Sequence, residues 1–163
     1  MTDDSEILKF LRWAYGDLRS NTVRPMLAEY LVGKALDCLG QYRIEWTAWD
    51  FEFEGKKIEV KSAGYVQSWS QAAPSKVIFG IAPAKDAYGI NQITRLGPGR
   101  KADIYVFCLH AEQDRERAGA HDLSSWQFYV VTTVALEAAV GQQRTPLACP
   151  VLVDWQRPAI GTH

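Results

Sequence analysis

The apolar positions change period along the chain, and the changes outline the elements. Ile7, Leu8, Leu11 and Tyr15 recur at helical spacing behind Asp3, Asp4 or Ser5 as cap candidates, which predicts a first helix ending near Gly16. Asn21 or Thr22, then Pro25, then the stripe Leu27, Leu31, Ala35 and Leu39 predict a second helix over 24–39 that stops at Gly40. The pattern then alternates: Trp49, Phe51 and Phe53 on one side, Asp50, Glu52 and Glu54 on the other. Alternation resumes after Gly55 in Lys57-Ile58-Glu59-Val60-Lys61, so the two segments read as a hairpin.

Three later runs, 77–81, 104–109 and 128–131, are nearly continuous in apolar residues, as central strands covered on both faces would be. Thr132 or Thr133 is placed to cap a short last helix through Val134, Leu136 and Ala139 that stops at Gly141. Segments 82–102 and 111–121 are polar or carry Gly and Pro, which predicts surface loops. With no internal repeat or long linker, residues 1–163 are expected to form a single α/β domain, a mixed sheet flanked by helices.

Composition narrows the functional classes. The chain has 163 residues, 47% of them hydrophobic, enough for a sizeable core. Its 18 Lys and Arg against 19 Asp and Glu give a formal charge of −1, so a uniformly basic nucleic-acid coat is excluded and any such surface is a local patch. Cys38, Cys108 and Cys149 are odd in number and far apart, against a disulfide framework or a zinc knuckle, and a reducing cytoplasm is the expected compartment. His110, His121 and His163 do not cluster with acids at ligand spacing. No apolar run approaches the roughly 20 residues of a membrane span, and the Gly97-Pro98-Gly99 turn lacks the lysine and helix start of a phosphate loop, so neither a membrane nor a nucleotide cofactor is expected.

The hairpin is where the chemistry concentrates. A two-residue loop at Glu54-Gly55 pairs Phe53 with Lys56, Glu52 with Lys57, Phe51 with Ile58 and Asp50 with Glu59. A loop shifted by one residue puts Asp50 across from Lys61 instead, yet either register keeps Asp50, Glu59 and Lys61 on one face. Carboxylates facing each other repel, so such a face calls for a compensating positive charge, and a divalent cation of the magnesium type suits it. Lys61 could then assist an attacking water or stabilise charge developing on a phosphate.

Asp50 followed nine residues later by Glu59-Val60-Lys61 across a hairpin resembles the PD-(D/E)XK superfamily of metal-dependent nucleases, the restriction-endonuclease-like fold. The preceding helix, Leu27 to Leu36, is similar to the superfamily's first core helix, whose acidic residue here is Glu29. The stretch after the lysine, Ser62 to Trp69, is similar to the segment that carries a glutamine in several branches, here Gln67; Trp49 stands where the motif's name has proline.

The resemblance implies a three-layer α/β core and hydrolysis of DNA phosphodiesters, by an endonuclease rather than an exonuclease, with magnesium or its substitute manganese. Asp50, Glu59 and the Val60 carbonyl would be metal ligands, with Glu29 acting directly or through water. Lys61 would position or activate the attacking water, and Gln67 would orient Lys61 or a phosphate. A homodimer cutting both strands fits the same picture. Arg95, Arg100 and Lys101 flank the Gly97-Pro98-Gly99 turn and are the candidates for contacts to the DNA backbone. The bland alternatives are an exposed Glu29 pairing with Lys34, and a solvated hairpin face laced with Lys56 and Lys57. The functional rivals are a non-catalytic nucleic-acid-binding protein on the same fold and a hydrolase that uses the carboxylates without DNA.

Overall fold

The computed structural model describes residues 4–45, 47–84, 95–119 and 121–140, and the backbone of 147–148. Trp46, Gly141, Cys149, His163 and part of the expected 82–102 loop lie outside these residues. The order is α1 (Asp4–Tyr15), α2 (Val23–Ala35), β1 (Phe51–Phe53), β2 (Lys56–Gly64), β3 (Ile78–Phe79), β4 (Ile104–His110), a 3-10 turn at Leu123–Ser125, β5 (Trp126–Thr132), α3 (Thr133–Val140) and β6 (Leu147–Ala148). β1, β2, β4 and β5 form a mixed sheet in that order, with β2 and β4 parallel and the other pairs antiparallel, while β3 and β6 make a separate two-stranded sheet. The expected α/β class with a mixed sheet and flanking helices is what the chain forms. Among the described residues no helix is long and apolar enough to cross a membrane.

The hairpin takes the first of the two registers: Phe51 faces Ile58, Glu52 faces Lys57 and Phe53 faces Lys56. Glu54 and Gly55 both have positive φ, 49° and 72°, the combination a two-residue hairpin loop needs to match the strand twist. Alternation stops at the start of β1, however. Phe51 and Phe53 pack on the α2 side with Ile58 and Val60, whereas Trp49 joins the opposite core with Ala63, Tyr105 and Phe107. The chain bends over 48–50, so Trp49 and Phe51 do not share a face as strict alternation requires.

β4 is central and buried along nearly its whole length, as expected. The other two apolar runs differ from the expectation. β3 keeps only two residues, with Val77, Phe79 and Ile81 buried and Ile78 exposed, so this run follows period two over one face. β5 lies at the sheet edge with Val130 exposed. Continuous apolarity does not by itself distinguish a strand covered on both faces from one covered on a single face.

α2 covers one face of the sheet through Ala28, Val32 and Gly33, with Leu27 and Leu31 flanking; Ala35 and Leu39 of the expected stripe are exposed. Its start is set by Ser20, whose Oγ accepts from the Val23 N–H at 3.0 Å, and not by Asn21 or Thr22. It stops before Gly40: Asp37 takes the left-handed conformation and the Cys38 N–H donates to the Gly33 carbonyl at 2.8 Å. Gly33 lets the sheet approach, since a Cβ there would lie 2.7 Å from both Phe51 Cζ and Leu39 Cδ2. On the other face α3 inserts Leu136, and Thr132 Oγ1 accepts from the Ala135 N–H at its start. α1 follows the expected span, yet none of its residues is buried and none joins either core.

Candidate functional site

β2 carries Glu59 and Lys61 on the face it shares with Tyr105 and Phe107 of β4, and the Lys61 ammonium donates to the Glu59 carboxylate. β1 pairs only as far as Phe51 opposite Ile58, so beyond that point β1 gives β2 no ladder partner. Asp50 takes over there. Its backbone N–H donates to the Ile58 carbonyl at 2.8 Å, and its carboxylate Oδ2 accepts from the Val60 N–H at 2.7 Å. In a strand the carbonyl of a residue points to the same edge as its N–H, which puts the Val60 carbonyl on the Asp50 side.

Asp50 lies within the field of the other two acids. Burial raises the Asp50 carboxyl to about 7, and Glu59 and then Glu29 add to the rise; the Val60 hydrogen bond and Lys61 oppose it without cancelling it. Glu59 also adds to burial in raising the Tyr105 hydroxyl to about 12, so that neighbour stays neutral. Among the described residues no three His, Cys, Asp or Glu side chains converge as a ready-made metal cage.

Glu29 projects from α2 with 13% of its side chain exposed, and its partner is Arg43, not Lys34. The Arg43 Nη2 donates to Glu29 Oε1 at 2.8 Å and Nε to Oε2, a two-pronged pair. Nη1 donates to Glu45 Oε1 at 2.9 Å. Glu29, Arg43 and Asp50 line a common cavity of about 540 Å³, with Tyr30, Tyr42 and Ile44 among the other walls. The hydrogen bond to Glu29, more than any other influence, raises the Arg43 pKa, so the guanidinium is fully charged.

Gln67 is buried at the far end of β2. Its Oε1 accepts from Arg24 Nη1 at 3.0 Å and its Nε2 donates to the Gly64 carbonyl at 2.8 Å, so its amide is engaged with Arg24 and the strand end and not with Lys61. The loop that follows is fixed by Arg115, which donates to the carbonyls of Gln67, Ser68 and Trp69 at 2.9–3.2 Å. In the basic loop Arg95 is exposed, and Lys101 Nζ donates to the Pro98 carbonyl at 2.7 Å. Arg100 is turned inward with 1% of its side chain exposed, against Glu137 and the Ile81 carbonyl. Just before β4, the Asp103 carboxylate accepts from the Lys57 N–H at 2.8 Å and extends the β2–β4 pairing.

The structure thus brings together Asp50, Glu59 and Lys61, and sets Glu29 across a cavity from Asp50. Arg43, Arg24 and Arg115 were missed by sequence reasoning. Arg43 lies in a non-periodic stretch, Gln41 to Glu45, where nothing local separates it from other loop cations.

Fold and site together define an α/β protein with an acidic, lysine-bearing centre at the margin of its main sheet. Residues 14–128 match the family described as Bacteriophage T4 endonuclease IV, a stretch running from the end of α1 into β5. The chain belongs to that family, and its class is that of a nuclease. No curated protein and no solved structure gives a match.

Proposed function

We propose that the chain is a magnesium-dependent DNA endonuclease of the PD-(D/E)XK, restriction-endonuclease-like type. The observation that carries this reading is the meeting of Asp50, from the bend before β1, with Glu59 and Lys61 of β2, where burial and the neighbouring acids disfavour the Asp50 charge. Two carboxylates, the strand carbonyl of Val60 and a third acid across the cavity make a donor set of hard oxygens, which fits a magnesium or manganese ion that keeps several waters. Asp50 and Glu59 would hold it directly, with Glu29 acting from the cavity wall.

When bound, the ion supplies positive charge that polarises the phosphodiester and eases ionisation of the attacking water. The residues of the chain do the rest. Lys61 Nζ, already hydrogen-bonded to Glu59, is placed to orient that water and to stabilise charge growing on the phosphate. The Val60 N–H fixes the Asp50 carboxylate so that it does not rotate away from the site. Gln67 contributes as frame behind the strand, through Arg24 and Gly64. Arg95 and Lys101 are the loop cations that reach toward the DNA backbone, while Arg100 ties their loop to α3.

A homodimer belongs to the same proposal. α1 exposes Ile7, Leu8, Phe10, Leu11 and Tyr15, with Asp4 and Glu6 in its first turn and Arg12 in its last, so two copies packed antiparallel match in charge as well as in apolar surface.

The test is cleavage of supercoiled plasmid and of labelled linear duplex with magnesium, manganese or chelator, for the wild type, Glu59→Gln and Lys61→Ala. We expect cutting only with metal, and a loss of at least ~100-fold in both variants while circular dichroism shows them folded. A wild type that binds DNA and never cuts it returns the chain to the non-catalytic reading.

A further inference from the structure

Among the described residues lining the 540 Å³ cavity, Arg43 is the one cation, set among Glu29, Asp50 and Glu52. A DNA phosphate entering beside these acids meets repulsion unless a positive group receives it. The guanidinium fork that grips the Glu29 carboxylate from two prongs has the geometry to grip two phosphate oxygens equally well. Arg43 comes from the segment between α2 and β1, outside both, where a change of partner requires movement of one long side chain and its loop, not of a packed strand.

We propose that Arg43 is the phosphate-binding residue of this site, held on Glu29 until a divalent cation and DNA arrive. The inference rests on the nuclease reading above. Glu29 cannot serve the Arg43 fork and a cation fully at once. Cation binding among the acids therefore loosens the pair, and the freed Nε and Nη2 prongs turn to the phosphate while Nη1 keeps its exposed partner Glu45. In the absence of DNA, the Arg43–Glu29 pair keeps the cavity from holding an uncompensated third carboxylate. Lys61 already engages Glu59, so the two basic residues divide the work: Lys61 at the strand, Arg43 at the cavity wall.

The experiment compares full-length wild type, Arg43→Ala and Arg43→Lys in two binding assays, each without turnover. The first titrates Mn²⁺ alone by calorimetry. The second measures the affinity of a fluorescent duplex with Mn²⁺ present, in a Lys61→Ala background, over a range of salt. We expect Arg43→Ala to bind Mn²⁺ at least as tightly as its parent, to bind duplex about 10-fold more weakly, and to lose about one from the slope of log affinity against log salt. Arg43→Lys should recover most of the salt slope but less of the affinity, because an ammonium keeps the charge without the fork. If Arg43→Ala unfolds, the comparison of wild type with Arg43→Lys decides alone. Unchanged duplex affinity and slope, with or without tighter Mn²⁺ binding, overturns the proposal and leaves Arg43 a structural partner of Glu29. Wild type that cuts DNA while Arg43→Ala binds duplex normally sinks this inference only; wild type that neither binds nor cuts DNA sinks the nuclease reading and this inference with it.

Discussion

Asp50 gives the sharpest test of the site, because its charge works against the fold until something offsets it. In the folded chain its carboxyl stands at about 7 instead of 3.8, first through burial, then through Glu59 and Glu29. A carboxyl raised in the folded state contributes stability that is complete below the unfolded value and is lost as pH rises through the folded one. The wild type should therefore weaken across the window from 3.8 to about 7. At about 1.4 kcal/mol per unit, the full shift corresponds to on the order of 4 kcal/mol as a ceiling, and water reaching the half-buried group lowers it.

Asp50→Asn isolates this effect, because an amide oxygen can still accept from the Val60 N–H while the charge is gone. Urea denaturation in chelator at pH 4.5, 6 and 8 should show the variant gaining on the wild type by about 2–4 kcal/mol from the lowest pH to the highest. Titrating groups remote from Asp50 affect both proteins alike and cancel in the difference, which leaves Asp50 together with its interaction with Glu59, Glu29 and Lys61. Adding Mn²⁺ at pH 8 should raise the wild-type midpoint and leave Asp50→Asn nearly unmoved, since a ligand stabilises only the state it binds. A stability difference that stays flat over the whole pH range would refute the picture of a carboxyl raised by burial and by two neighbouring acids, and with it the reason for a cation here.

Three further outcomes follow from the packing. Gly33→Ala forces a methyl against Phe51 and Leu39 and should cost about 1–3 kcal/mol, read as a lower thermal midpoint; an unchanged midpoint would show that α2 does not sit this close to β1. Arg115→Ala removes charge-assisted bonds to three consecutive carbonyls and should cost about 1–2 kcal/mol, with faster amide exchange confined to the loop after β2. Leu11→Asp should convert a dimer to a monomer by light scattering, and a wild type that is monomeric at micromolar concentration refutes pairing through α1.

How much of this could be read from the chain depends on whether the signal was local. The hairpin and the shared face of its acids were legible from the alternation on either side of Gly55, but its register was left between two choices, and the left-handed backbone of Glu54 and Gly55 decides for the first. α2 and the central strand were legible from spacing and apolarity. The breaks were not. Nothing in Trp49 or Asp50 announces the bend that separates Trp49 from Phe51, because the cause is tertiary: Trp49 fills the core beneath Tyr105 and Phe107. The helix stop moved from Gly40 to Asp37 because the packing of Leu39 and Phe51 against Gly33 decides where the chain must turn. Arg100 read as a surface cation, yet a carboxylate 37 residues further along draws it inward. Arg43 reached the site from a loop with no pattern at all.

The distribution of positive charge in the site carries a last consequence. Glu59 has Lys61, and Glu29 has Arg43, whereas among the described residues Asp50 has no ion pair and is held by a neutral backbone N–H. The repulsion that both other acids exert is therefore concentrated on Asp50. An external cation gains most where internal compensation is least, which is at Asp50, on the side where the Val60 carbonyl also points. Loss of Asp50 should then act first on cation capture. Loss of Lys61 frees Glu59 from its partner, strengthens the local negative field, and leaves capture intact while removing the group that serves the attacking water. The two variants, equally silent in a cleavage assay, should differ in Mn²⁺ titration, and a Lys61→Ala protein that fails to bind the ion would place Lys61 in the architecture of the acids instead of in the chemistry.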